Sequence, residues 1–512
     1  MTPSATPFSL SRRQLLQAAG LTGAAVAGLG GLTACGGSGS GGAGGSGQLI
    51  HGATGGSVKD TVANPDIARV NALYEPLMRW DDNYELQHGL AESVEPNDTA
   101  QEWTVRLRDG ITFHNGKTVT AEDVLATIQR VANPDDPKSA GSDLARVIDM
   151  AATTTVDDRT VKIVLKRPNA IVDVLLAEYH FGVVPADYDP ANPVGTGPFA
   201  YQSFTPGQTS TFTKYADYWG EAAKVDSLVI QDFTDENAKV NALLAGQLHT
   251  LDYLPTNLVD SVKGAGGGAL IAETGAWMPF TMRVDTAPFN DVRVRQAMRL
   301  IVDRQQLIDQ ALSGYGSLGN DLYAPFDEAY AGKDFPQRTQ DLEQAKSLLR
   351  QAGQENLQVE LFTGDDISSV AVSAANLFAE QARGAGVQVR VTKKTPFFGD
   401  DYLSYPFGQS FWHTRRYLPQ AAQCALKGSP FNETHFDNQA FADLIDAATT
   451  ETDKAKRATL VKDAQQIEYD EGGNIIWGFR QQVDGYAKGV EGLKPNKYLP
   501  LGGYRFERLS VS

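Results

Sequence analysis

This sequence is poor in the residues that usually carry chemistry. Its 512 residues include two cysteines and seven histidines, and no GxSxG, HExxH or CxxC pattern. No two histidines stand at helical or hairpin ligand spacing, so neither a metal site nor a cofactor is expected. Positive charge is also in deficit. Lys and Arg number 45 against 62 Asp and Glu, a formal net charge of −17. That field repels nucleic acid, which is excluded as a partner. Long apolar runs are missing too. The stretch AAGLTGAAVAGLGGL (18–32) falls short of the roughly 20 residues a membrane span needs.

Two Gly-rich stretches fail as nucleotide loops. GITFHNGKT (110–118) has five residues between Gly110 and Gly116 where a phosphate loop has four, and it sits in a hairpin pattern. GTGPFA (195–200) places Pro198 inside the motif, with no helix pattern after it. The paired acids Asp365-Asp366 and Asp400-Asp401 read as loop charges rather than a catalytic dyad. An enzyme is not expected.

What is present begins at the N-terminus. SRRQLLQ (11–17) sets Arg12 and Arg13 before the short apolar stretch, the order of an export signal, and the pair resembles a twin-arginine signal. Leu32-Thr33-Ala34-Cys35 resembles a bacterial lipobox, in which the cysteine thiol is diacylated. GGSGSGGAGGSG (36–47) has nothing to pack and reads as a tether spanning about 20 Å. Residues 1–35 are thus an expected signal peptide, and the mature protein is expected on the outer face of the cell membrane, held by lipid at Cys35. Cys424 is then left without a partner, so no disulfide is expected. It reads as a small buried residue.

The body has α/β patterning. Trp103, Val105 and Leu107 alternate as a half-buried strand, Asn115-Gly116 marks a hairpin, and Thr120 opens a helix with Val124, Ile128 and Val131 on one face. TVKIVLK (160–166) is another alternating strand. Residues 290–314 read as one helix, capped by Asn290 and stopped at Gly314. Helix 341–353, strand 357–362, a helix near 367–383 and strand 387–393 follow, the last three forming a β-α-β unit. Helices near 437–449 and 453–469 precede a buried strand at 475–479.

Blocks spread along the chain resemble the oligopeptide-, dipeptide- and nickel-binding lipoproteins of ABC importers, extracellular solute-binding protein family 5. They are ALYEPLMRWDDNYELQHGLAESVEPNDTAQEWTVRLRDGITFHNGKTVTAEDV (72–124), VGTGPFAYQSF (194–204), KYADYWG (214–220), PFNDVRVRQAMRLIVDRQQLI (288–308), DLEQAKSLLRQAG (341–353) and NQAFADLIDAATTETDKAKRATLVKDAQQI (438–467). The resemblance implies a bilobal periplasmic-binding-protein-like fold of the three-domain, cluster C type, with a ligand cleft between the lobes. Domain I is expected from 48–71, 190–284 and 480–512, domain II from 72–189, and domain III from 285–479. It also implies a monomer that captures a peptide or other small molecule and delivers it to ABC permease subunits served by ATPases, performing no chemistry itself.

Peptide-binding members carry a Trp-x-x-Asp-Tyr pattern in domain III, whose aspartate pairs with the peptide's α-ammonium. The stretch FWHTRRYLPQ (411–420) departs from it. Arg415 or Arg416, depending on the register, holds the acid's place between Trp412 and Tyr417. An unpaired arginine in a closed cleft costs several kcal/mol, so an anionic ligand group is expected there. Trp277, Trp412, His413, Arg415, Arg416 and Tyr417 are therefore the candidate ligand-binding residues. The ligands in view are acidic or N-blocked peptides, opine-like dicarboxylates and anionic nickel-type chelates. The competing reading pairs the arginines with Asp400 or Asp401 inside the protein. A surface hydrolase, or a sensor that feeds no importer, are the alternatives of other classes.

Overall fold

The computed structural model describes residues 47–54, 67–131, 144 and 147–512. The expected export signal, the Cys35 lipobox and all but the last residue of the tether lie outside them. No helix among the described residues is long and apolar enough to cross a membrane.

An eight-stranded mixed sheet collects strands from distant parts of the chain. Its order is Gly268–Trp277, Gly478–Tyr486, Thr250–Leu251, Gln48–Thr54, Ser227–Phe233, Thr209–Lys214 and Phe199–Thr205, with Gly316–Leu318 added on Gly478–Tyr486. Gln48–Thr54 pairs in parallel with both Ser227–Phe233 and Thr250–Leu251, and Leu49, His51 and Ala53 along it are buried.

A four-stranded antiparallel sheet is inserted between the first and later strands of that sheet. It orders Ala91–Pro96, Glu102–Leu107, Thr160–Val164 and Thr154–Asp157. The alternation read from the sequence is realised: Trp103, Val105 and Leu107 are buried while Thr104 and Arg106 face water. Helix Ala121–Val131 covers it with Val124, Ile128 and Val131. Asp123 accepts from both the amide and the hydroxyl of Thr120, which closes the helix start.

The third body contains the expected β-α-β unit. Gln358–Thr363 and Gln388–Lys393 pair in parallel around helix Ala371–Arg383. A three-stranded sheet, Phe407–Gln409, Phe280–Met282 and Asn474–Ile475, lies against it.

Two expectations change. Residues 290–314 form two helices, Val292–Ile301 and Arg304–Ala311. Val302 is extended, and the Asp303 carboxylate takes the Gln306 amide at 2.9 Å, so a local side-chain bond outcompetes helix continuation. Asp291, not Asn290, caps the first helix. The strand expected at 475–479 is split into Asn474–Ile475 and Gly478–Tyr486, which belong to different sheets.

Helix Lys454–Glu471 sets up the site. Its last carbonyls would be orphaned in a buried position, and the buried Arg299 guanidinium supplies them with donors. It donates to the carbonyls of Tyr469 (2.8 Å), Gly472 (2.7 Å) and Glu468 (3.3 Å). Burial pulls its pKa down to about 9, with Arg338 adding to the fall.

Candidate functional site

The segment Ser410–Tyr417 is pinned from one side along its length. Ser410 Oγ donates to Glu433 at 2.7 Å. Trp277 N donates to Trp412 O at 3.0 Å, and Trp412 N returns a bond to Trp277 O at 2.9 Å. Thr414 Oγ1 accepts from Gly275 N and donates to Lys497 O, both at 2.9 Å. Tyr417 N donates to Asp327 at 2.9 Å, and its hydroxyl donates to Glu468 at 2.5 Å.

These anchors make the segment alternate. Ser410, Trp412 and Thr414 are buried, while Phe411 and His413 are exposed and Arg415 is half-buried. Side chains of an extended chain point to opposite faces in turn, so Phe411, His413 and Arg415 share the outer face. Phe411 and His413 line a small cleft of about 50 Å³ together with Trp412, Thr414, Tyr253, Arg480, Gln481 and Tyr498, and Arg415 lies beside it.

His413 shows what kind of cleft this is. Its ring is exposed to water, yet protein surrounds it closely enough that desolvation drives its pKa down to about 4. Arg415 and then Arg480 add to the fall through their charge. The imidazole is therefore neutral at physiological pH. Arg415 lies over the Trp412 ring at 5.7 Å and, among the described residues, makes no ion pair or side-chain hydrogen bond. Arg480 is half-buried and likewise has no ion-pair partner among them, and burial lowers its pKa. No carboxylate lines the cleft among the described residues.

The other candidates take supporting places. Arg416 turns away from the cleft and donates to Phe326 O at 2.7 Å and Tyr84 O at 3.0 Å. Its guanidinium lies 5.2 Å from the Trp80 ring and 5.1 Å from the Tyr84 ring. It lines a separate cavity of about 760 Å³, where Asp173, Asp327 and Glu328 face Lys454 and Arg457, so charge is balanced there. Trp277 is buried and stacked between Tyr323 and Trp412, and it lines the cleft from behind its exposed residues. Tyr417 is fully buried and serves as an anchor behind the site, not as a wall. Asp401 is engaged by Lys394 at 2.9 Å and Tyr405 at 2.8 Å, so it does not neutralise the arginines. Cys424 is buried, with its thiol against Gln420 O at 3.3 Å and its pKa pushed well up by burial.

Arg480 was not found from the sequence. It follows directly on the apolar run IIWGF, where a cation extends a buried strand, and that juxtaposition was the available signal. Tyr253 and Tyr498 come from loops far apart in sequence and carried none.

Known proteins place this architecture. Residues 85–421 match the bacterial extracellular solute-binding proteins, family 5. The chain is 27% identical to a glutathione-binding protein of Pectobacterium atrosepticum, over 94% of this chain and 96% of that one. It is 24% identical to a dipeptide-binding protein of Escherichia coli, over 90% and 91%. The solved structure of a binding protein in complex with agropinic acid from A. tumefaciens R10 superposes with a TM-score of 0.76 at 26% identity, covering 91% of this chain and 99% of that one. The mixed α/β sheets and these matches together place the chain in the bacterial extracellular solute-binding proteins, family 5, with that family's bilobal binding-protein fold.

Proposed function

We propose that this protein is the exported, lipid-anchored binding component of an ABC importer, and that its cargo presents an anionic group to the cleft. The carrying observation is a pair of arginines without an ion-pair partner among the described residues: Arg480, which lines the cleft, and Arg415, half-buried beside it over the Trp412 ring. Burial lowers the pKa of Arg480, and a bound anion offsets the cost of holding such a charge away from water. A guanidinium fork also grips a carboxylate with two parallel bonds. A peptide α-ammonium at this position meets like charge instead.

The cargo classes follow from that sign: an acidic or N-blocked peptide, glutathione itself, or an opine-like acid. Lobe closure over the ligand excludes water and strengthens each polar contact. The three-domain division at 48–71 with 190–284 and 480–512, 72–189, and 285–479 supplies the hinge, and the protein works as a monomer docking on permease subunits driven by ATPases. A second reading is favoured by His413. An exposed imidazole held neutral accepts a metal ion, so an anionic metal chelate also fits, the chelator supplying the remaining donors.

Native mass spectrometry of the exported protein tests the reading. An anionic small molecule released on denaturation is expected, with acyl mass on the mature Cys35 terminus. Carry-over of basic or neutral free-amine peptides contradicts it.

A further inference from the structure

Gln482 stands two residues beyond Arg480 on the strand Gly478–Tyr486, and both line the cleft. Alternate residues of a strand share a face, so the two side chains leave it as neighbours, about 7 Å apart at their backbones. Asp484 is the next residue on that face and is buried behind the wall. Gln482 Nε2 donates to Asp484 Oδ1 at 2.5 Å. The same carboxylate accepts from the Tyr253 amide at 3.1 Å and from the Leu501 amide at 2.6 Å. Tyr253 and Pro500 are also cleft walls, so one buried group holds three segments of the lining. Tyr253 (φ 50°) and Leu501 (φ 49°) both lie in the left-handed region that non-glycine residues adopt only at a cost, and Asp484 takes the amide of each.

This arrangement decides which end of the Gln482 amide the cleft receives. An ionised carboxylate only accepts hydrogen bonds, so the amide nitrogen faces Asp484 and the carbonyl oxygen is the end left over. Gln482 is half-buried, and its Oε1 accepts no hydrogen bond among the described residues. An acceptor partly withdrawn from water and without a partner favours a ligand N–H or O–H. Its neighbour Arg480, without an ion-pair partner among the described residues, favours an anion. The two demands fall on adjacent side chains of one face, so one ligand fragment meets both: a carboxylate with a hydrogen-bond donor on the next carbon. An ammonium donor there meets the charge of Arg480, whereas an amide N–H or a hydroxyl does not.

Resting on the importer reading above, we infer that Gln482 is a specificity-determining residue that reads a neutral hydrogen-bond donor, an amide N–H or a hydroxyl, beside the cargo's carboxylate. Asp484 is the positioning residue that keeps the Gln482 oxygen turned to the cleft. The C-terminal unit of a peptide, an N-acyl amino acid and a 2-hydroxy acid carry that fragment. A simple alkanoic acid or an acid whose amide nitrogen is fully substituted does not.

The small molecule released from the folded, exported protein on denaturation is identified by tandem mass spectrometry and NMR. A carboxylate with an N–H or O–H on the adjacent carbon is expected. An anion without such a donor overturns the inference while leaving an anion importer intact. A neutral or cationic ligand overturns both. Where the purified protein is empty, calorimetric titration is run at pH 8, above the pKa of about 7 to which burial raises Asp484. The probes differ in the donor alone: N-acetylalanylglycine against N-acetylalanylsarcosine, glutathione against its sarcosine analogue, and mandelate against phenylacetate. In at least one pair the donor-bearing probe is expected to bind about tenfold tighter. Gln482→Met keeps the length of the side chain and loses its oxygen, and is expected to bring that ratio to about one in a protein that still folds. Asp484→Asn offers the Gln482 oxygen a donor to turn to, and is expected to narrow the ratio. Equal affinity within every pair, binding of none of the six, or a preference that survives Gln482→Met overturns the inference. A ratio unchanged in folded Asp484→Asn overturns the role of Asp484.

Discussion

Trp277 and Trp412 hydrogen-bond each other's backbones in both directions, and their rings stack 6.0 Å apart at 19°. This bridge ties the strand Gly268–Trp277 of the large sheet to the segment that carries His413 and Arg415. It fixes which way each residue of that segment points. Trp412 and Thr414 are buried, while Phe411 and His413 are exposed at the cleft and Arg415 is half-buried beside it.

The bridge makes Thr414 a sensitive position. Its hydroxyl satisfies Gly275 N and Lys497 O at once. Thr414→Val keeps the shape but strands the buried Gly275 amide, at about 1–3 kcal/mol, and leaves the part-buried Lys497 carbonyl without its donor. A drop in thermal midpoint and weaker ligand binding are expected together. Thr414→Ser is expected to restore most of both, and calorimetric unfolding with ligand titration checks the pair.

Arg415 and Arg416 are adjacent but are expected to fail differently. Arg415→Gln removes a charge-assisted contact to the ligand, worth about 1.5–3 kcal/mol, or tenfold to a hundredfold in affinity, with stability unchanged. Arg416→Gln breaks the bonds to Phe326 O and Tyr84 O and the stacking on Trp80. It is expected to lower the closed fraction seen by small-angle scattering and to weaken every ligand alike. Arg416→Lys is expected to rescue little, because an ammonium cannot reach two carbonyls in a fork.

Glu468 gives the site a pH dependence. Burial raises its pKa from 4.5 to about 7, against the lowering bonds from Tyr417 and Tyr323. Between those values the unfolded chain has lost the proton and the folded chain keeps it, so stability falls as pH rises through the window and levels off above it. Glu468→Gln removes this share of the slope, at most about 3 kcal/mol by the linkage relation. Glu433, likewise raised to about 7, contributes a parallel share that remains. Chemical denaturation at pH 5 and pH 8 is expected to show a smaller difference for the variant than for the parent.

His413 reports on the ligand. Its pKa of about 4 reflects desolvation by the protein packed round it, then the charges of Arg415 and Arg480. An anion settling beside the imidazole cancels the repulsive part, so an upward shift is expected on ligand binding. NMR titration of the imidazole, free and loaded, measures it. A further fall on loading contradicts an anionic cargo.

The fold was legible where periodicity is strong. Trp103, Val105 and Leu107 announce a strand by alternation, and Asp341, Ala345 and Leu349 announce a helix by cap and spacing. The break at Val302 was not legible, because helix periodicity runs through it and only Asp303's local bond to Gln306 ends it. In the site, the reversed charge after Trp412 was visible as a motif departure. The division of labour between Arg415 and Arg416 was not, since it depends on Phe326 and Tyr84 reaching the same place through tertiary packing. Alternation within FWHTR carried the missing information, for it puts Phe411, His413 and Arg415 on one face once Trp412 is known to be buried.

A crystal structure of the protein with its cargo bound tests the central claim most directly. Anionic ligand oxygens are expected within hydrogen-bond distance of the Arg480 or the Arg415 guanidinium group. A ligand amine or neutral group at that place, or both guanidinium groups turned out to bulk water, contradicts it.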